Sequence, residues 1–202
     1  MLGIIDYGSG NIYSFQNIFN SLDIQHLIIK SSDDVSKCSH IILPGVGDFD
    51  ETIGLLQAKG YIESLEEHIL KKGSYFLGVC VGMQILGDSS EEGILDGLGW
   101  IPGKVKKIKK TNKNIRLPHM VWNSLSINNH SPLTYDIDID AGAYFLHNYE
   151  FIPELNDCII ATSDYGKPIA SIINKNNIFG VQFHPEKSHD NGVKLLKNFS
   201  QL

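Results

Sequence analysis

The sequence predicts a three-layer α/β domain with a mixed, mainly parallel central sheet, spanning residues 1–202 as one unit. Three observations carry that expectation. In the first half, short apolar runs of strand type alternate with segments whose apolar residues recur at helical spacing. One of those runs, 75–79, leads into a cysteine with glycine nearby on both sides. In the second half the helical periodicity gives way to short strand-like segments, with Asn and Gly between several of them. Alternating β and α units build parallel sheets covered by helices, whereas consecutive strands build antiparallel extensions.

Residues 2–5 form the first strand, closed by Asp6-Tyr7-Gly8-Ser9-Gly10-Asn11. Ile12, Phe15, Ile18, Phe19 and Leu22 then recur at helical spacing. Such a glycine-rich turn can cradle phosphate. Here, however, Tyr13 stands where the third glycine of Gly-x-Gly-x-x-Gly belongs, so a tight or partner-facing turn is expected. Residues 26–29 and 40–43 are the next strands, and the second ends in Pro44-Gly45-Val46-Gly47-Asp48-Phe49. In open α/β sheets ligands collect at that carboxyl edge. Gly45 and Gly47 let the loop backbone approach one, and Asp48 is placed to start a helix. Residues 51–58 and 61–71 read as helical, with Leu55, Ile62, Leu65, Ile69 and Leu70 on apolar faces. The strand 75–79 and a short helical stretch, 83–86, follow, which makes the order so far β-α-β-β-α-β.

Beyond Gly87 an acidic run, 88–93, precedes a basic one, 104–110. The basic run lacks interleaved aromatic residues, so it is expected to be the solvated face of a strand and not a nucleic-acid patch. Residues 121–127, 143–151, 158–163, 169–174 and 178–183 are strand-like, and are expected to extend or flank the sheet as antiparallel strands. Residues 190–202 close the chain as an amphipathic helix with Val193, Leu196 and Phe199 on one side.

Composition is ordinary for a soluble globular protein: 42% hydrophobic and 20% charged over 202 residues. A net charge of −6 argues against nucleic acid as the main partner. No run approaches the roughly 20 apolar residues of a membrane span. The 3 cysteines lack metal or disulfide spacing, and no secretory signal precedes the first strand. The expectation is a cytoplasmic protein, with Cys38 and Cys158 as structural thiols.

Cys80 differs from those two. Gly78 and Gly82 flank it as the glycines flank serine in a Gly-x-Ser-x-Gly nucleophile elbow. A side chain at the tip of a tight strand-to-helix turn needs neighbours without Cβ atoms. The turn would set the sulfur at a helix N-terminus, where the dipole favours thiolate, and leave the Val81 N–H free to face a developing oxyanion. The bland alternative is a buried inert thiol. A second oxyanion N–H could come from the loop at Gly45 and Gly47.

A thiolate nucleophile needs a histidine held by a third group. Of 8 histidines, His184 follows the apolar strand 179–183, Pro185 stops that strand, and Glu186 lies two residues on. That spacing lets a carboxylate fold back onto the imidazole. His119 and His147 compete for the role, each beside aromatic or apolar residues that equally suit a core or interface histidine.

Gly78 to Gln84 together with Phe183-His184-Pro185-Glu186-Lys187-Ser188 resembles a class I (triad) glutamine amidotransferase domain, of flavodoxin-like fold. Asp6 to Asn11, Leu43 to Gly47 and Pro118-His119-Met120-Val121-Trp122-Asn123 fall in the order and spacing of one subfamily, the glutaminase subunit of imidazole glycerol phosphate synthase. The chain departs from that pattern at Val121, usually Gly, and at Val81, usually Leu.

The resemblance implies that Cys80 attacks the side-chain carboxamide of L-glutamine to form a thioester. His184 serves as acid and then base, and Glu186 orients His184. Val46 and Val81 supply the oxyanion hole, and Gly45, Gly47 and Gln84 contribute to substrate binding. Asn11, His119, Trp122 and Asn123 would face a partner, a (β/α)8-barrel cyclase subunit in a heterodimer. Ammonia would pass to it for synthesis of imidazole glycerol phosphate and AICAR in histidine biosynthesis. No metal or organic cofactor, nucleic acid or membrane is implied. Two alternatives remain at this level: ammonia supply for amidation of a bacterial surface or flagellar sugar, and an inactive or signalling cysteine domain of the same fold.

Overall fold

In the computed structural model, which describes residues 1–111, 113 and 115–202, the apolar runs pair into an eight-stranded sheet. The strands are β1 (Leu2–Ile5), β2 (His26–Ile29), β3 (His40–Leu43), β4 (Tyr75–Val79), β5 (Ser89–Ser90), β6 (Gly103–Lys107), β7 (His119–Asn123), β8 (Ser126–Ile127), β9 (Ala143–His147), β10 (Tyr149–Pro153), β11 (Ile159–Asp164), β12 (Pro168–Lys175) and β13 (Ile178–Val181). The helices are α1 (Ile12–Ser21), α2 (Ser32–Val35), α3 (Phe49–Ala58), α4 (Tyr61–Glu66), α5 (Val81–Gln84) and α6 (His189–Ser200).

The main sheet runs β2-β1-β3-β4-β13-β12-β11-β8. It is parallel from β2 to β13 and antiparallel from β13 to β8. Strands covered on both faces read as continuous apolar runs, as in Leu-Gly-Ile-Ile and His-Ile-Ile-Leu. The pleat sends alternate residues to opposite faces. Ile41, Leu43 and Phe76 join Phe49, Tyr61 and Trp100 in one apolar cluster. Ile42, Leu77 and Val79 join Phe15, Phe183 and Phe199 in the other. Two smaller sheets flank this body: β10-β6-β5 and the ribbon β7-β9.

Several expectations need correction. A one-turn helix, α2, separates β2 from β3; four residues are too few for helical periodicity to show. The expected helix 61–71 is α-helical only to Glu66 and then widens to a π turn over Glu67–Lys71. Residues 121–127 and 143–151 each break into two strands, because β7 pairs with β9 while β8 joins β11 in the main sheet and β10 turns away to pair with β6. In α6 the buried apolar residues are Leu195, Leu196 and Phe199, and Val193 is only half-buried. The basic run, by contrast, keeps to expectation: β6 buries Val105 and exposes Lys104, Lys106 and Lys107.

One correction bears on the site. Residues 178–183 are not antiparallel to every neighbour: β13 is parallel to β4, from Ile178 opposite Phe76 to Val181 opposite Val79. Two strands about a hundred residues apart thus run side by side and end together, one leading to Cys80 and the other to His184.

Candidate active site

Cys80 sits at the tip of β4 with φ +55° and ψ −111°, a conformation that L residues seldom adopt. Such strain costs about 1–3 kcal/mol and persists where the surroundings enforce it. Here the glycines make it possible. A Cβ on Gly78 would run into the Gly82 backbone, and one on Gly45 into Val79 O and Gly82 N. The loop after β3 therefore lies directly against the elbow. The helix starts at Val81 rather than at 83 and is a single turn, so its dipole is small. The Val81 N–H belongs to that first turn, whose donors have no intrahelical acceptor.

His184 is brought opposite Cys80 by the pairing of β13 with β4, and it is 2% exposed. Its Nδ1 lies 3.0 Å from Glu186 Oε1, within a buried pair of side chains. Two hydrogen bonds fix the turn: the His184 N–H donates to Tyr144 O at 2.9 Å, and Ser188 Oγ donates to His184 O at 2.7 Å. Burial works against charging the imidazole, but its bonds to Cys80 and Glu186 outweigh burial and push it up to about 10. The ring is thus biased toward an imidazolium held between a sulfur and a carboxylate. The charge of this ring, more than the short helix, is positioned to stabilise a thiolate.

The sulfur opens on a cavity of about 180 Å³. Gly47, Val81 and Gln84 line it, with His147, Tyr149 and Glu92 on the remaining walls. Gln84 Nε2 donates to Tyr149 O at 3.1 Å and to Gln182 Oε1 at 3.0 Å, so its oxygen is the atom left to meet a ligand. Glu92 accepts the Phe49 N–H at 3.0 Å, and burial pushes its carboxyl up. In the sequence Glu92 is one member of an acidic run, and no periodicity tells which carboxylate of a loop turns inward. Gln182, fully buried with Nε2 3.8 Å from the Cys80 sulfur, carries no sequence signal for the same reason. A larger cleft, about 480 Å³ between Trp122 and Lys194, contains neither Cys80 nor His184.

The remaining sequence-predicted residues divide. Ser9 Oγ donates to Val46 O at 2.6 Å and ties the β1 turn to the β3 loop, and Val46 is 38% exposed. Asp48 caps α3, with its side chain accepting from the Glu51 N–H at 2.7 Å. Asn11 is half-buried at the start of α1. Trp122 is 43% exposed and stacks on His189 with ring centres 5.0 Å apart. Val121, two residues from His119 along β7, shares its face of the ribbon and lies opposite Trp122 and Met120. His119 corrects the partner-facing expectation: it is fully buried, stacked on Phe145 and Tyr165, and bonded to His147 at 2.9 Å. Burial pushes His119 down to about 4. Burial, with His119 beside it, pushes His147 down to about 3. Both are neutral core histidines, and the imidazole joined to a carboxylate is that of His184. Asn123 is half-buried and donates to Asp164 O at 2.8 Å.

Residues 3–201 match the Glutamine amidotransferase class-I family. The chain is similar to imidazole glycerol phosphate synthase subunit HisH of Leptospira interrogans, at 43% identity with 100% of both chains covered. It is 42% identical to the HisH subunit of Bdellovibrio bacteriovorus, again over 100% of both. It is 40% identical to HisH 2 of Methanococcus maripaludis over 98% of both. Among solved structures it resembles PurLQS from Thermotoga maritima, with TM-score 0.75 and 14% identity, covering 99% of this chain and 96% of that one. A glutamine amidotransferase from Thermotoga maritima superposes with TM-score 0.64 at 16% identity, covering 92% of this chain and 75% of that one. At those identities the structures speak for the fold alone.

Proposed function

The chain belongs to the glutamine amidotransferase class-I family, and from that premise we propose that it hydrolyses L-glutamine and hands the ammonia to a synthase partner. The observation that carries this reading is the buried Cys80–His184–Glu186 array, just past the ends of adjacent parallel strands, at the mouth of a cavity sized for one amino acid. The Cys80 sulfur attacks the carboxamide carbon of glutamine, and the oxyanion that forms meets the N–H groups of Val81 and Val46. His184 gives its proton to the departing nitrogen, which leaves as ammonia and a γ-glutamyl thioester behind it. His184, now neutral, takes a proton from water; the hydroxide adds to the thioester, and glutamate departs as the sulfur is released. Glu186 holds the imidazole in one tautomer throughout. Glu92, on the cavity wall, pairs with the substrate ammonium, and the Gln84 oxygen accepts from it.

The likeness to HisH subunits extends the reading. The partner is a (β/α)8-barrel cyclase, and the ammonia enters imidazole glycerol phosphate synthesis. Trp122 and Met120, exposed on the β-ribbon, belong to the docking face. Growth tests it. A histidine auxotroph lacking its own glutaminase subunit grows without histidine when given this chain with its native barrel partner. With Cys80→Ala it grows only when ammonia is abundant, because the partner can use ammonia directly. Failure of the unaltered chain, with both proteins soluble and associated, redirects the ammonia to another acceptor. Undiminished growth of the Cys80→Ala strain at low ammonia overturns the nucleophile.

A further inference from the structure

Gln182, His119 and His147 are polar, buried in the interior and outside the triad. Buried polar groups are hydrogen-bonded, and these share one network. Its polarity follows from the Tyr149 carbonyl, which can only accept. His147 Nδ1 lies 2.8 Å from that oxygen, so Nδ1 carries the proton and Nε2 of the neutral ring is bare. His119 Nδ1, 2.9 Å from that bare nitrogen, must donate into it. His119 Nε2 is then an acceptor and receives Asn123 Nδ2 at 3.3 Å. The same Tyr149 carbonyl accepts from Gln84 Nε2 at 3.1 Å, and the other N–H of that amide goes to Gln182 Oε1 at 3.0 Å. With its oxygen committed to Gln84, the Gln182 amide must turn its nitrogen to the Cys80 sulfur, 3.8 Å away.

We propose that Gln182 is a positioning residue for the nucleophile: its N–H, aimed by Gln84, donates to the Cys80 sulfur and favours the thiolate. The His119–His147 pair, bonded to the same Tyr149 carbonyl, ties this donor to β7, the strand that turns Met120 and Trp122 outward. The proposal rests on Cys80 being the nucleophile. The other titratable groups around the sulfur are His184 with Glu186 behind it, Tyr7 beneath the β3 loop, and His147 and Glu92 on the cavity wall. Among these neighbours, Gln182 supplies a neutral donor whose direction is set by its partners and not by pH.

The experiment is the pH dependence of Cys80 alkylation by iodoacetamide in the full chain, read by mass spectrometry apart from Cys38 and Cys158. Gln182→Glu keeps an acceptor for Gln84 but sets a carboxylate oxygen against the sulfur. Its alkylation midpoint rises by about one pH unit, so that reaction at pH values well below the midpoint slows about tenfold. Gln182→Met, which only removes the donor, moves the midpoint the same way by less. Both lower kcat for glutamine more than they raise KM. His119→Phe keeps the stack on Phe145 and Tyr165 but leaves His147 without its donor, and it gives a smaller rise. An unmoved midpoint in folded Gln182→Glu overturns the proposal. Loss of the fold in both Gln182 variants, judged by circular dichroism, also overturns it, since the amide would then serve the fold and not the sulfur. A shift in Gln182→Glu with none in His119→Phe overturns the tie to β7. If Cys80→Ala retains glutamine hydrolysis, it is the nucleophile reading that fails instead.

Discussion

At the scale of single residues, the site rests on how one imidazole is kept charged. Burial alone would favour neutral His184, and the sulfur and carboxylate on either side reverse that. Removing the carboxylate tests the balance. In Glu186→Gln the amide still accepts from Nδ1, but the charge is gone and the imidazole loses its proton at lower pH. The expected outcome is a fall in kcat of about 10²-fold, with KM for glutamine nearly unchanged. The alkaline limb of the pH–kcat profile moves to lower pH. A loss confined to KM, or an unmoved alkaline limb, would assign the role to another group.

At the scale of elements, the elbow and the β3 loop act as one unit because glycines let their backbones touch. Gly78→Ala puts a methyl group into the Gly82 backbone. Overpacking of this kind costs about 1–3 kcal/mol, and thermal unfolding of Gly78→Ala is expected to show that loss together with a collapse in glutaminase activity. Stability like that of the unaltered chain would mean the elbow has more slack than its contacts indicate. On the proposed function, control over the reaction belongs in the β3 loop. Val46 stands exposed between two glycines and is tied to the β1 turn by one hydroxyl bond, so its peptide planes can reorient without moving Cys80. One oxyanion donor is worth about 10²–10³ in kcat. The isolated chain is therefore expected to be a poor glutaminase that its partner, and more so partner plus acceptor ligand, accelerates by that order. Equal rates in all three conditions would reduce the loop to a simple turn.

At the scale of the whole molecule, the histidines set opposite limits on the pH range of stability. His184 is raised, so its contribution is complete below the unfolded value of about 6.5 and is lost as pH rises through about 10. His119 and His147 are depressed. Between about pH 6.5 and 4 the unfolded chain binds protons that the folded chain refuses, and stability falls with pH by about 1.4 kcal/mol per unit for each group. Unfolding temperature should thus drop steeply on acidification, and His119→Phe should flatten that drop. The measurement is thermal unfolding from neutral pH down to about pH 4.5, and parallel curves for the two proteins would show that the buried pair is not the source.

What the sequence determined by itself was local. The elbow at Cys80 is legible because its steric requirement is met by residues two places away. The His184–Glu186 bond is legible because a single residue separates the groups and that residue, Pro185, forces the turn between them. The β1, β3 and β4 strands are legible as continuous apolar runs, and so is the carboxyl edge where their loops gather. Only the tertiary structure decided which strands lie side by side. An apolar run carries the same pattern whether its neighbour is parallel or antiparallel, so nothing in 178–183 revealed that β13 would lie against β4. The fates of His119, Glu92 and Gln182 depend on that pairing and on the ribbon that closes over it. Whether a polar side chain is buried or exposed is settled by what packs against it, and those contacts come from segments distant in the chain.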